Sequence, residues 1–154
     1  MSLTIAVDRE LKSAAIIGLL ERHLDTMRAH TPPESVHALD LDGLRKPEVT
    51  FWCVWDGDDL VGCGALKELD GAHGEIKSMH TAAEHRGKGI AATLVAHILD
   101  EARRRGYARL SLETGSPEPF HPALALYERH GFTRCGPFAD YVYDPFSVYM
   151  TLEL

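Results

Sequence analysis

The most informative part of this chain is the stretch Glu84-His85-Arg86-Gly87-Lys88-Gly89-Ile90-Ala91. It lies between a strand-like segment, Glu75 to Thr81, and a helix-like segment that runs to Arg105. Glycines at such a turn allow a ligand to approach the backbone N–H groups that have no partner at the start of a helix. Those donors and the positive end of the helix dipole bind anions, and Arg86 and Lys88 add positive charge. The stretch therefore predicts a phosphate-binding turn.

The glycine pattern excludes two common phosphate-binding motifs. A Walker A loop ends in Gly-Lys-Ser/Thr, whereas Gly87-Lys88 is followed here by Gly89. A dinucleotide-binding Gly-x-Gly-x-x-Gly needs a third glycine where Ala92 stands. A plain helix-capping glycine turn remains an alternative on this stretch alone.

A second informative block lies downstream, at Ala123-Leu124-Ala125-Leu126-Tyr127-Glu128-Arg129-His130-Gly131-Phe132. Gly131 is placed to end a helix in a left-handed conformation, after which Phe132 begins a strand. Four residues recur at helical spacing, which predicts that they share one helical face: Ala123, Leu126, Tyr127 and His130.

The two blocks together resemble the GNAT superfamily of acyl-CoA-dependent N-acetyltransferases. The first resembles the family's Gln/Arg-x-x-Gly-x-Gly/Ala signature, and the second resembles its Ala-x-x-Leu-Tyr-x-x-x-Gly-Phe. The resemblance extends from about Val49 to the C-terminus. It implies a single domain over residues 1–154 with the GNAT fold, an α/β (α+β) fold. The mixed, mostly antiparallel sheet of about six to seven strands then has helices on both faces.

The hydrophobic pattern predicts strands and helices that agree with this fold. The predicted strands are Leu3 to Val7, Val49 to Trp55, Leu60 to Leu69, Glu75 to Thr81, Arg109 to Thr114, Phe132 to Gly136 and Ser147 to Leu152. The predicted helices are Glu10 to Met27, Gly89 to Arg105 and the block around Tyr127. The segment from Glu34 to Leu44 is ambiguous and favours a short helix that ends near Gly43.

The resemblance implies a general base at Glu75, because GNAT enzymes that use one often carry a Glu on the strand before the phosphate loop. A protonated amine has no lone pair with which to attack a thioester, so such a base speeds the reaction, typically by about 10²–10⁴-fold. Two other interpretations remain open for Glu75, a solvated charge at the strand end or a partner of Lys77.

The resemblance also implies a general acid at Tyr127, since in this family the Tyr of the second block protonates the departing CoA thiolate. The alternative is a buried aromatic ring whose hydroxyl serves only a structural hydrogen bond.

The same resemblance implies which residues bind CoA. The pantetheine arm adds to the predicted strand through the main chain of Met79 and Thr81, and a backbone N–H near Met79 or His80 stabilises the oxyanion. The His80 side chain has three open roles: substrate contact, an auxiliary base, or a solvated surface group. The pyrophosphate lies on the turn formed by Arg86, Gly87, Lys88, Gly89, Ile90 and Ala91.

Two positions depart from the family pattern. Ala83 stands where many members have Pro, and Phe120 stands where many have an Asn that contacts the cofactor. The loop from Glu113 to Pro122 is long and, together with Glu34 to Leu41, is expected to border the acceptor pocket.

Composition limits the remaining possibilities. The net charge of −7 disfavours a nucleic-acid partner and suits a cationic, amine-bearing acceptor. We expect neither a membrane span nor a signal peptide, and three widely spaced cysteines favour reduced thiols in the cytoplasm. No His-x-x-x-His or Cys-x-x-Cys pair is present, so we expect no metal. Analogy with the family suggests a homodimer.

The resulting hypothesis is an acetyl-CoA-dependent N-acetyltransferase that transfers the acetyl group directly to a primary amine of a small molecule or peptide. Two alternatives remain. One is a CoA-binding sensor or interaction module without catalysis, and the other is an acyltransferase with a different acyl donor or an O-linked acceptor.

Overall fold

The computed structural model describes residues 2–36 and 39–154, in which seven strands form one mixed sheet in the order β1-β2-β3-β4-β5-β7-β6. The strands are β1 (Leu3–Val7), β2 (Val49–Asp56), β3 (Asp59–Asp70), β4 (His73–Thr81), β5 (Arg109–Gly115), β6 (Thr133–Cys135) and β7 (Ser147–Glu153). The helices are α1 (Ala14–His30), α2 (Leu41–Leu44), α3 (Ile90–Arg104) and α4 (His121–Arg129). Short 3-10 turns occupy Pro33–Ser35, Ala83–His85 and Glu118–Phe120. All seven predicted strands are present.

Two hydrophobic layers enclose the sheet. One layer joins α3 and α4 to the central strands through residues such as Leu94, Ile98 and Leu124. The other joins α1 and α2 to the opposite face through residues such as Leu19, Leu44 and Phe51. Helices therefore cover both faces, as the family resemblance implied.

Helix α1 begins four residues later than the sequence pattern predicts. The carboxylate of Asp8 accepts hydrogen bonds from the backbone N–H groups of Glu10 and Leu11, at 2.9 and 3.0 Å, and this turn keeps the chain out of the helix. The hydroxyl of Ser13 then caps the helix by accepting from the N–H of Ile16 at 3.2 Å. Local side-chain bonds thus override the hydrophobic periodicity that predicted a start at Glu10.

The ambiguous segment after α1 contains the turn Pro33–Ser35 and the four-residue helix α2. Asp40 caps α2, since its carboxylate accepts from the N–H of Gly43 at 2.9 Å. A short helix ending near Gly43 is therefore confirmed, although His37 and Ala38 lie outside the described residues.

The central feature of the sheet is the pair β4 and β5. It is the one parallel pair among the described strands, and its register covers only His73–Ile76 against Arg109–Leu112. Beyond these residues β4 continues to Thr81, and Ser78 adopts a left-handed φ of 57° where the register with β3 shifts. A bulge of this kind bends its strand, so the C-terminal halves of β4 and β5 part and leave an opening.

Among the helices of the described residues, none has both the length and the apolar character needed to cross a membrane.

Candidate functional site

The turn before α3 has the geometry of an anion site. Gly87 and Gly89 both have a φ of +79°, and a Cβ at either position would meet nothing within 4 Å. Gly89 is the N-cap residue, and no side chain caps the helix. Open space therefore lies beside the two glycines, next to the start of α3, whose first-turn N–H groups have no partner within the helix, and next to Arg86 and Lys88. This arrangement fits a pyrophosphate.

The opening between β4 and β5 begins next to that turn, because Ala82 and the 3-10 turn Ala83–His85 join the end of β4 to it. Met79 and Thr81, the positions expected to bind pantetheine through the main chain, lie on the part of β4 that β5 does not pair with. The side chain of Met79 packs against the core under α3. An extended arm that adds to this strand edge would thus fit the residues present.

Glu75 lies on β4 and is only 3% exposed. Its Oε2 accepts a hydrogen bond from the Tyr141 hydroxyl at 2.6 Å and forms an ion pair with the Lys77 ammonium at 3.0 Å. Lys77 also donates to the Tyr141 hydroxyl at 3.0 Å. The structure therefore contains one of the two alternatives left open by the sequence, the pairing of Glu75 with Lys77. The other alternative, a solvated charge at the strand end, is absent because Glu75 is buried.

Tyr127 lies on α4 and is 5% exposed. Its ring meets the Phe132 ring edge to face, with centroids 5.8 Å apart. Burial, and then the charge of Glu113, raise the pKa of the Tyr127 phenol, so it holds its proton at neutral pH. On the predicted face of α4, Leu126 and Tyr127 are buried, and Ala123 and His130 are half-buried. Leu124 is also buried, although the predicted face did not include it.

His80 is half-buried and pairs with a second imidazole rather than lying on a solvated surface. Its Nδ1 lies 3.3 Å from the Nδ1 of His23 on α1. Burial and the nearby Arg86 and Arg22 lower the pKa of His80 to about 4. Burial and His80 lower the pKa of His23 to about 4 as well. Both rings are therefore neutral at pH 7, and one donates to the other.

Sequence reasoning missed Tyr141, which holds Glu75 from a segment without helix or strand, residues 136–146. The only signal in the sequence is the aromatic content of this segment. The Tyr141 ring packs against Phe138 and Tyr149, and the Tyr149 hydroxyl donates to the Val142 carbonyl at 2.8 Å. The segment thus lies over the sheet face that carries Glu75.

Within residues 2–36 and 39–154, no group of three or more His, Cys, Asp or Glu side chains is placed to hold a metal ion.

Comparison with known proteins agrees with this geometry. Residues 16–132 match the family model described as the acetyltransferase (GNAT) family. The uncharacterized N-acetyltransferase YsnE of Bacillus subtilis is 57% identical over 94% of this chain and 96% of its own length. The uncharacterized N-acetyltransferase YedL of Escherichia coli is 48% identical over 98% and 94%.

Solved structures give the same result. A Klebsiella pneumoniae protein described as an acyl-CoA N-acyltransferase superposes with a TM-score of 0.79 at 30% identity, over 99% of this chain and 97% of its own. Both signature blocks, the mixed sheet with its parted central strands and these relatives point the same way: the chain is an acetyltransferase that belongs to the GNAT family.

Proposed function

We propose that this enzyme transfers the acetyl group of acetyl-CoA directly to a primary amine of a small molecule or peptide. The observation that carries the proposal is the opening between β4 and β5, which lies beside the uncapped start of α3. Strand edge and helix start together offer backbone donors for an extended arm and for its phosphates.

The chain's own residues supply binding and proton transfer. Arg86, Gly87, Lys88, Gly89, Ile90 and Ala91 hold the pyrophosphate of acetyl-CoA, and the main chain of Met79, His80 and Thr81 holds the pantetheine arm. The bound thioester supplies an activated acyl carbon. Tyr127 gives a proton to the departing sulfur, a role that rests on its place in the second signature block; burial keeps the phenol protonated at neutral pH, so the proton is present when the thiolate forms. Glu75 stays our sequence-based prediction for the general base.

A covalent cysteine intermediate is disfavoured by the state of the thiols. Burial and then the charge of Asp8 raise the pKa of Cys53 to about 12, and burial raises the pKa of Cys63 further. A thiol attacks as the thiolate, so neither residue is a nucleophile at neutral pH. Because Cys135 is also unpaired, all three cysteines are free thiols, which supports a reducing compartment such as the cytoplasm.

The test is the release of free CoA thiol from acetyl-CoA against a panel of amines, with wild type and Tyr127→Phe side by side. Turnover with one class of amine, lowered by about 10²-fold or more in the variant, supports the proposal. CoA binding measured by calorimetry is the control, because Tyr127→Phe leaves the phosphate turn intact. Bound CoA without turnover of any amine would instead favour a sensor module, and turnover of alcohols or of other acyl-CoA donors would favour the other alternative.

A further inference from the structure

An acceptor approaches the opening between β4 and β5 from the face of the sheet that carries Glu75. The opposite face is filled by the packed layer under α3 and α4, with buried residues such as Leu94, Leu124 and Tyr127. On the Glu75 face, helix α1 contacts β4, and the segment 136–146 lies over the sheet. The side chains between these two elements therefore determine which amines fit.

Phe120 lies on this same face, at the end of β5. Side chains alternate along a strand, so a side chain at position 115 would point to the same face as those of Ser111 and its partner Glu75. A Cβ at Gly115 would overlap the Phe120 ring, so the ring packs directly on this glycine. Because β4 pairs with β5 only as far as Leu112, the ring covers a part of β5 that lies beyond that pairing.

The same ring reaches across the opening to α1. Its centroid lies 6.2 Å from that of His30, the last residue of α1, and the two rings meet edge to face at 90°. Since α1 contacts β4 and Phe120 packs on β5, the ring joins the two sides of the opening. Phe120 is half-buried, so part of its apolar surface stays accessible there.

Hydrogen bonds hold the Phe120 loop in this position. The N–H of Phe120 closes the 3-10 turn that precedes α4. The Ser116 hydroxyl donates to the Pro145 carbonyl at 2.7 Å, and the Ser116 N–H donates to the Phe146 carbonyl at 2.9 Å. The loop is thus tied to the segment 136–146. A wall that is fixed before binding costs little ordering entropy when an acceptor packs against it.

The accessible surface beside the opening is apolar. The polar side chains on this face have protein partners: Lys77 with Glu75, His80 with His23, and Glu113 with Ser147. Among the described residues, three of the four large hydrophobic side chains that are exposed lie on the segment 136–146: Val142, Tyr143 and Phe146. An acceptor that enters between this segment and α1 therefore gains more from an apolar substituent than from a charged one.

We propose that Phe120 is a specificity-determining residue, and that the acceptor is a primary amine with an aliphatic or aromatic substituent near its amino group; this inference rests on the proposed acetyl transfer. The substituent packs on the Phe120 ring while the amino group lies at the opening. A hydrophobic contact of this kind changes kcat/KM by about 10–200-fold. Hydrophilic polyamines lack such a substituent and are poorer acceptors.

Two pairs of isosteric amines measure this contact: leucinamide against asparaginamide, and 3-methylbutylamine against 3-aminopropanamide. The members of a pair share a shape and differ in polarity, and their unequal basicity cancels when variants are compared. Wild type is expected to prefer the apolar member by about 10-fold or more in kcat/KM. Phe120→Ala should lose most of this preference and Phe120→Leu should keep it, with CoA affinity unchanged in calorimetry.

Gly115→Ala moves the ring without removing it. The φ of Gly115 lies outside the left-handed region, so the backbone accepts alanine while the new methyl group displaces the Phe120 ring. The preference should fall as it does in Phe120→Ala. Gly71→Ala adds a methyl group in open space at the turn between β3 and β4, and this matched control should behave as wild type. All variants are compared at a temperature at which circular dichroism reports a folded protein.

The inference is overturned if wild type does not prefer the apolar member of either pair, or if Phe120→Ala keeps the wild-type preference within about threefold. It is also overturned if Phe120→Ala raises only the KM for acetyl-CoA, because the ring would then contact the cofactor instead. Absence of turnover with every amine refutes the proposed transfer. Calorimetric titration of the CoA-bound enzyme with leucinamide and asparaginamide then decides the role of Phe120, and equal or absent binding of the two amides overturns it.

Discussion

Gly89 is the residue at which one methyl group should damage both the fold and the site. Its φ of +79° is left-handed, and an added Cβ would meet no atom within 4 Å, so the penalty of Gly89→Ala is purely one of backbone conformation. That penalty is about 1–2 kcal/mol, which lowers Tm by about 2–8 °C in a domain of this size. CoA affinity should also fall, because the first-turn N–H groups of α3 would shift. Thermal unfolding and calorimetry measure the two effects.

Gly71→Ala is the matched control for this prediction. Gly71 also has open space around it, but its φ lies outside the left-handed region. If both changes lower Tm equally, the strained turn is not the cause of the loss.

At the scale of elements, the bonds of Glu75 and Lys77 to Tyr141 hold the segment 136–146 against β4. Glu75→Gln leaves the Lys77 ammonium buried beside a neutral amide, and we expect a loss of about 3–5 kcal/mol in the free energy of unfolding. The double variant Glu75→Gln/Lys77→Met should lose less than the sum of the single changes, since neither charge is then left behind. Urea unfolding of the four proteins gives the coupling energy.

The exposed pair Arg103–Asp100, with an N–O distance of 3.8 Å, is the control for these measurements. Asp100→Asn should cost less than about 1 kcal/mol, because solvent screens this pair. An equal loss at both pairs would contradict the structural role of the buried network.

The same elements explain how far the sequence predicts this molecule. The strands, α3 and the glycine turn follow from local patterns of two to four residues, and they were predicted close to their observed bounds. The predicted start of α1 was wrong because the hydrogen bonds accepted by Asp8 and Ser13 compete with the hydrophobic periodicity of the sequence. The bond from Tyr141 to Glu75 spans 66 residues, and no local pattern encodes it. Sequence therefore selected residues for the site, while tertiary contacts decide how the Glu75 carboxylate is held.

In the whole molecule, helices pack against both faces of one sheet. Helix α1 contacts β4, the strand that borders the opening. The homodimer suggested by analogy stays a prediction at this scale, and sedimentation equilibrium measures it.

The imidazoles of His23 and His80 should make global stability depend on pH. Their folded-state pKa values of about 4 lie below the ordinary value of about 6.5, so the unfolded chain binds more protons between these limits. The free energy of unfolding then rises with pH in this window, and the protein loses stability as pH falls from 6.5 toward 4.

Replacing either imidazole should flatten that dependence, since the protons that only the unfolded state binds are removed. His80→Gln and His23→Asn, each studied by urea unfolding at several pH values between 4 and 7, are expected to have smaller slopes than wild type. The double variant should have the smallest slope, because both titrating rings are then absent, and His80 also lowers the pKa of His23. Slopes identical to wild type in all three variants would mean that the two rings are not neutral partners across the α1–β4 contact, and the packing of α1 over the end of β4 would then need another source of stability.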